Sequence, residues 1–230
     1  MLEQDLIILD VEGTISSLDY IIKNLTPLTQ RKLPEFVYSF RENEIDQQVE
    51  LIKAQIAEET DRTSEEVVLA EVTGKLLNNI EMGIKSDSLT YIQEKIWQGS
   101  LAKGTIKTHV YADVLPFMTE VASAGKKICI FCSYSKEFTK AYLQHSEHGD
   151  LTSHVHHWFD QEIGPKKKKA SYEAILSATE ESAENTLFIS DNPLELNAAI
   201  KCGIKTFQMV RSGVLPVDDY DQLTSFSDLK

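Results

Sequence analysis

The stretch Leu6-Ile7-Ile8-Leu9-Asp10-Val11-Glu12-Gly13-Thr14 joins a short apolar run to two acids and a glycine. Leu and Ile in succession, without polar alternation, are the pattern of a strand buried on both faces of a parallel sheet. Apolar runs of this kind recur beyond His109 at Lys127 to Cys132 and at Thr186 to Ser190, and a further strand is read at Thr206 to Val210. Helical periods fall between these runs. One spans about Asp113 to Ala124, with Leu115, Met118 and Val121 inward and a stop at Gly125. A second spans about Lys136 to His145, and after a stretch read as loop a third spans about Lys168 to Ala178. A last one has Pro193 as its first residue and Gly203 as its stop, the usual asymmetry of helix ends. Strands alternating with helices of this length imply βαβ units, and so an α/β fold with a doubly wound parallel sheet.

From about Asp19 to Gly104 the period is helical throughout. Val49, Ile52 and Ile56 share one face, as do Leu69, Val72, Leu76 and Ile80, which follow the capping-box pattern Thr63-x-x-Glu66. Leu89, Ile92 and Ile96 form a third set, with Asp87 and Ser88 as caps. Neither Gly nor Pro lies between Pro34 and Gly74. The expected organisation is therefore a core of residues 1–16 and 105–230, interrupted after its first strand by an inserted bundle of three to five helices over 17–104.

The chain has 230 residues, 42% hydrophobic and 26% charged, which is globular composition. Lys and Arg number 23 against 36 Asp and Glu, a net charge of −13. Such an acidic surface repels polyanions and argues against nucleic acid or an anionic membrane as partner, while a small anion is accommodated wherever positive charge is concentrated. No apolar run approaches the length of a membrane span. Met1 to Asp10 has no basic segment ahead of its apolar run, unlike a secretory signal. Three cysteines without framework spacing suit a reducing compartment. Cys129 and Cys132 read as buried strand residues on opposite faces rather than as a metal or disulfide pair. The expectation is a cytoplasmic monomer, with the nucleus admitted as a second location because Lys166 to Lys169 also fits an import patch.

Ligands of an open parallel sheet bind at the carboxyl ends of its strands. There the first strand delivers Asp10 and Glu12, the second Ser133, and the third Asp191, while Gly164-Pro165-Lys166 brings a cation on a loop. Asp10 and Asp191 are hard oxygen ligands suited to Mg²⁺. Asp10, neutralised by metal, can attack phosphorus. Glu12 is placed to protonate a leaving oxygen and then to activate water. Ser133 offers a hydroxyl and neighbouring amides to phosphate, and Lys166 balances the anions. Each residue alone has a plainer explanation, Asp10 as a turn acid above all. Together and in this order they favour a site. Lys167 to Lys169 read as a solvated face; His154, His156 and His157 as loop packing, since no acid or Cys completes a ligand set; Ser171 and Tyr172 as helix packing residues.

Asp10-Val11-Glu12-Gly13-Thr14, Ser133, Lys166 and Ser190-Asp191 resemble the four motifs of the haloacid dehalogenase superfamily of phosphohydrolases. Most members carry Asp at the position of Glu12. The Glu, with Gly164-Pro165-Lys166, Tyr111-Ala112-Asp113-Val114, His145-Ser146, Gly149-Asp150-Leu151, Ser190-Asp191-Asn192-Pro193 and Leu223-Thr224-Ser225-Phe226-Ser227, is similar to the enolase-phosphatase E1 family, the acireductone synthases of methionine salvage. That resemblance implies a HAD-like Rossmannoid core with a helical cap, and a substrate, 2,3-diketo-5-methylthiopentyl 1-phosphate, that is enolised and then hydrolysed to the acireductone 1,2-dihydroxy-3-keto-5-methylthiopentene and phosphate. It implies Mg²⁺ on Asp10, on the main-chain carbonyl of Glu12 and on Asp191. Substrate phosphate would meet Cys132, Ser133 and Lys166, with Asp10, Glu12 and Lys166 catalytic and the cap closing over the methylthio tail. Two positions depart from the family pattern: Tyr134 stands where Gly is usual, and Ile15-Ser16-Ser17 where Thr and Pro are. The alternatives are a superfamily phosphatase for another small phosphate ester and a catalytically silent interaction protein.

Overall fold

The computed structural model describes residues 3–39 and 43–229. Its centre is β1 (Leu6–Leu9), four apolar residues that are all fully buried. β1 pairs in parallel with β2 (Lys127–Phe131) on one side and β4 (Thr186–Ser190) on the other, Leu9 lying level with Ile130 and Ile189. Burial of a Leu or Ile side chain contributes about 1.5–3 kcal/mol, so β1 acts as the keel of the sheet. With β3 (His157–Phe159), β5 (Lys205–Met209) and β6 (Gln222–Leu223) the order is β3-β2-β1-β4-β5-β6, every pair parallel. The winding reverses between β1 and β4, and the carboxyl ends of these two neighbours flank the crevice where such sheets bind ligands.

The stretch read as loop between His145 and Lys168 contains β3, and β2 and β5 each end one residue earlier than the apolar pattern suggested. Around the sheet run α6 (Val114–Ser123), α7 (Lys136–Gln144), α8 (Lys169–Thr179) and α9 (Pro193–Ile200). In α6 the inward residues are Val114, Phe117, Met118 and Val121; Leu115 is only half-buried, because the helix starts at Val114 and presents that residue instead. Tyr172 and Ile175 of α8 and Leu196, Ala198 and Ala199 of α9 pack with Leu6, Ile8, Cys129, Phe131 and Phe188 in one core.

The chain forms two compact units, one running to Tyr20 and resuming at Ile106, the other Ile21–Thr105. The division falls four residues later than expected at the first crossing and one later at the second. Ser17 to Tyr20 stay with the sheet unit because Ser17 N–H donates to His109 Nδ1 at 3.2 Å and Tyr20 Oη to the Lys107 carbonyl at 2.5 Å. The first unit contains the short turn α1 (Leu18–Tyr20). The second begins with a π-helical turn, Ile21–Leu25, and continues as α2 (Thr26–Ser39), α3 (Asn43–Thr60), α4 (Leu69–Glu81) and α5 (Asp87–Ala102). Val49, Ile52, Ile56, Val72, Leu76, Leu89, Ile92 and Ile96 are all buried, whereas Leu69 and Ile80 are half-buried. Trp97 is buried among them and its indole N–H is shared between the Leu25 carbonyl at 3.1 Å and Thr29 Oγ1 at 2.8 Å. The residue that caps α5 is Ser86, whose hydroxyl accepts from Leu89 N–H at 3.2 Å, one position ahead of the expected Asp87 and Ser88. No helix among the described residues is long and apolar enough to cross a membrane.

Candidate active site

Asp10 follows directly on β1, and its carboxylate is fixed on both oxygens. Oδ1 accepts from Val11 N–H at 2.7 Å and from Lys166 Nζ at 2.5 Å; Oδ2 accepts from Ser190 Oγ at 3.1 Å. Ser190 is the last residue of the adjacent strand β4, so the parallel register itself brings the two side chains level. Asp10 and Lys166 are both almost completely buried, 5% and 6% exposed, which rules out a solvated cation for this member of the lysine run. Lys167, Lys168 and Lys169 are exposed, as expected. Burial works against the Lys166 charge, but Asp10 and Glu195 beside it more than offset that cost and hold its ammonium above the ordinary lysine range.

Lys166 reaches this position on a glycine. Gly164 has φ +126°, and a Cβ there would meet Ser171 Oγ at 2.5 Å. Ser171 Oγ in turn donates to the Pro165 carbonyl at 2.8 Å, so this hydroxyl serves the loop that carries Lys166. Tyr172 is a core residue between the rings of Phe131 and Phe188, and its hydroxyl has no hydrogen-bond partner among the described residues.

Glu195 is the participant that sequence reasoning missed. Its Oε2 lies 2.8 Å from Lys166 Nζ and 3.1 Å from Ser190 Oγ, and its Oε1 accepts from Asn192 Nδ2 at 3.3 Å. The available signal was its spacing: four residues after Asp191 and in the first turn of a helix begun by Pro193, Glu195 lies on the turn beneath that acid. Burial, and then Asp10, raise its carboxyl above the ordinary range, with Lys166 and Ser190 opposing.

Asp191 stands at the carboxyl end of β4, half-buried, with its carboxylate against Gly13, where a Cβ would lie 2.4 Å from Oδ2. Burial first, then the charges of Asp10 and Glu195, push its carboxyl up to about 7, and Lys166 opposes them. Three carboxylates, Asp10, Asp191 and Glu195, thus share one buried ammonium. Such a set is short of positive charge, which fits a divalent cation held by carboxylates. Among the described residues no three His, Cys, Asp or Glu side chains are grouped so as to hold a metal ion by themselves.

Cys132 follows β2 and is buried, its N–H donating to the Phe159 carbonyl at 3.0 Å. Burial drives its thiol up to about 12, with Lys166 opposing and Asp10 and Glu12 adding to the rise, so all three lie within electrostatic reach. Ser133, the next residue, is exposed, and its carbonyl accepts from Gln161 Nε2 at 2.8 Å. Glu12 is half-buried in the turn after β1, bridged through its main chain to Ser16. Tyr134 packs edge-on against Phe138 at 5.3 Å, and Ser135 caps α7 by accepting from Phe138 N–H. Asp10, Ser190, Asp191, Lys166 and Glu195 therefore converge at the switch point of the sheet, with Cys132 beside them.

Comparison with known proteins bears on this geometry. The family model of the haloacid dehalogenase-like hydrolases matches residues 4–203, and the chain belongs to that family. A Synechococcus elongatus protein named enolase-phosphatase E1 is 32% identical across 97% of this chain and 96% of its own length, which assigns the chain, within those hydrolases, to the enolase-phosphatase E1 family. The crystal structure of the UTR4 protein of Saccharomyces cerevisiae superposes with a TM-score of 0.80 at 27% identity, covering 98% of this chain and 99% of that one. A more distant structure, YfnB of Bacillus subtilis bound to magnesium, shares the fold at a TM-score of 0.61 and 15% identity, over 99% of this chain and 97% of its own.

Proposed function

We propose that the enzyme enolises 2,3-diketo-5-methylthiopentyl 1-phosphate and hydrolyses the resulting enol phosphate, releasing the acireductone 1,2-dihydroxy-3-keto-5-methylthiopentene and phosphate in methionine salvage. The observation that carries this reading is the buried Asp10–Lys166 pair at the β1/β4 switch point, in a chain of the enolase-phosphatase E1 family. The helical unit Ile21–Thr105 corresponds by its position in the chain to that family's cap.

Asp10 is the nucleophile. With Oδ1 occupied by Val11 N–H and Lys166, Oδ2 carries the less saturated lone pairs. Before phosphoryl transfer, Glu12 takes a proton from the carbon that bears the phosphate ester, and the electron pair moves to the neighbouring carbonyl oxygen, which takes a proton from solvent to become the enol hydroxyl, leaving Glu12 protonated. Asp10 then attacks phosphorus; the ester P–O bond breaks, and the departing oxygen leaves protonated by Glu12. Water, deprotonated by Glu12, cleaves the aspartyl phosphate and regenerates Asp10. Lys166 and the amides that follow Cys132 and Ser133 receive the phosphate charge. Mg²⁺, when bound on Asp10, the Glu12 carbonyl and Asp191, neutralises the crowded oxygens of carboxylate and phosphate. The donor set supports that assignment, since two carboxylates and a carbonyl leave room for the waters and phosphate oxygens that Mg²⁺ retains.

The test is to give the diketo phosphate to the parent and to Asp10→Asn while following enediol ultraviolet absorbance and free phosphate. The parent is expected to produce both signals, and Asp10→Asn to accumulate an enol phosphate without releasing phosphate. A parent that hydrolyses simple esters but leaves the diketo phosphate unchanged would overturn the enolase half. Loss of both signals in a folded Asp10→Asn would give Asp10 a part in proton removal.

A further inference from the structure

The peptide of Asp191 is held at both ends by side chains from other parts of the chain. Its N–H donates to Thr14 Oγ1 at 3.1 Å, and its carbonyl accepts from Gln208 Nε2 at 3.3 Å. Gln208 is a fully buried amide within β5, an environment in which an apolar residue packs without cost and an amide requires partners for all its polar atoms. Its second Nε2 hydrogen goes to the Leu215 carbonyl at 3.0 Å, and its Oε1 accepts from Val217 N–H at 2.8 Å. The side chain therefore connects Asp191 to the segment that follows the strand.

Thr14 is fixed by the same region. Its carbonyl accepts from Arg211 Nε at 3.1 Å. The Arg211 guanidinium also donates from Nη1 to the Thr224 carbonyl at 3.1 Å and pairs through Nη2 with Asp113 at 2.9 Å. It lies 4.2 Å from the centroid of Tyr111, a stacking distance. Asp113 completes the arrangement by accepting, at 2.8 Å each, from Ser225 Oγ and Phe226 N–H.

We infer that Gln208 and Arg211 are positioning residues for Asp191, and that the segment from Arg211 to Asp228 is a working part of the catalytic site. Neither side chain is given contact with substrate. They act through Thr14 and the Asp191 peptide, fixing where the Asp191 carboxylate points. The inference rests on the reading of Asp191 as a Mg²⁺ ligand, and a ligand whose main chain loosens loses both affinity and aim.

The experiment uses full-length Gln208→Leu, Arg211→Lys and Arg211→Ala. Gln208→Leu keeps the bulk and removes the hydrogen bonds; Arg211→Lys keeps the charge and removes the fork. Mg²⁺ binding to the free enzyme is measured by calorimetry, kcat and KM at saturating Mg²⁺, and the thermal midpoint alongside. The expected result is a Mg²⁺ Kd raised and a kcat lowered by about tenfold each, with KM within about twofold of the parent. Methylguanidinium is expected to restore part of the kcat of Arg211→Ala by refilling the slot beside Tyr111. Variants that melt earlier but keep the parental Kd and kcat would overturn the inference, leaving these residues as scaffold only. Gln208→Leu decides the matter alone if the arginine variants fail to fold. A parent that binds no Mg²⁺ would overturn the metal reading instead, and amide exchange at Asp191 in the metal-free protein then judges the positioning: selective acceleration in Gln208→Leu supports it, and an unchanged rate sinks it.

Discussion

Gly13 and Asp191 approach so closely that a methyl group on Gly13 would sit 2.4 Å from Asp191 Oδ2. Gly13 also has φ +75°, in the left-handed region that disfavours a side chain. The turn after β1 is thereby matched to the acid after β4. Gly13→Ala is expected to cost about 1–3 kcal/mol of stability from backbone strain and to displace the Asp191 carboxylate. Phosphate release should fall far more than the thermal midpoint does, and equal, small changes in both would show that the contact yields easily.

Lys166→Met leaves Asp10 and Glu195 facing each other without the cation between them. Its phosphatase rate should fall by about 10²–10³-fold, the scale of losing one preorganised electrostatic group. Lys168→Ala, on an exposed side chain, should stay within about 0.5 kcal/mol of the parent in stability and match it in rate. Identical behaviour of the two variants would mean that the Asp10–Lys166 pair is not part of the chemistry.

Chelation should abolish phosphate release and Mg²⁺ should restore it. Ca²⁺ should restore it poorly, because it takes longer bonds and more ligands than two carboxylates and a carbonyl provide. Full activity in chelator would sink the metal assignment.

Acid should release the C-terminal segment before it unfolds the sheet. Burial raises the Asp113 carboxyl, but Phe226 N–H, the Ser225 hydroxyl and Arg211 together outweigh burial and hold it below the ordinary range. A carboxyl depressed in the folded state contributes stability that is fully present above its unfolded pKa, about 3.9, and is lost as pH falls through the lower folded value. Asp113→Asn should remove that part of the acid dependence. Limited proteolysis within Arg211 to Asp228 between pH 5 and pH 2 is the measurement, and an identical profile for parent and Asp113→Asn would refute the link.

The parts of this fold that sequence makes legible are those with a strong local signature. Leu6 to Leu9 is apolar on both faces, and the acid that ends it stands where parallel sheets bind ligands. β3 was invisible because its three residues, His157, Trp158 and Phe159, are each only half-buried and lie among histidines. β6 is two residues long, too short for any period. Glu195 reads from sequence as an ordinary acid in the first turn of a helix; its meaning comes from Lys166, which reaches it from another crossover. Gln208 is harder still: it is a polar residue within a strand, and its side-chain partners Leu215 and Val217 come from the irregular segment that follows β5.

The central place of β1 sets an order of events during synthesis. Its neighbours in the sheet begin at Lys127 and Thr186, so from Leu9 to the first of them the ribosome must add 118 residues, 127 − 9. At about 5–20 residues per second that takes on the order of ten seconds. Throughout that interval this fully buried strand has no sheet partner, while the helical unit Ile21–Thr105 emerges in full. The strand that ends at Asp10 is made before every other strand of its sheet and waits for partners made much later, so Asp10 acquires its geometry only when β4 and Lys166 are in place.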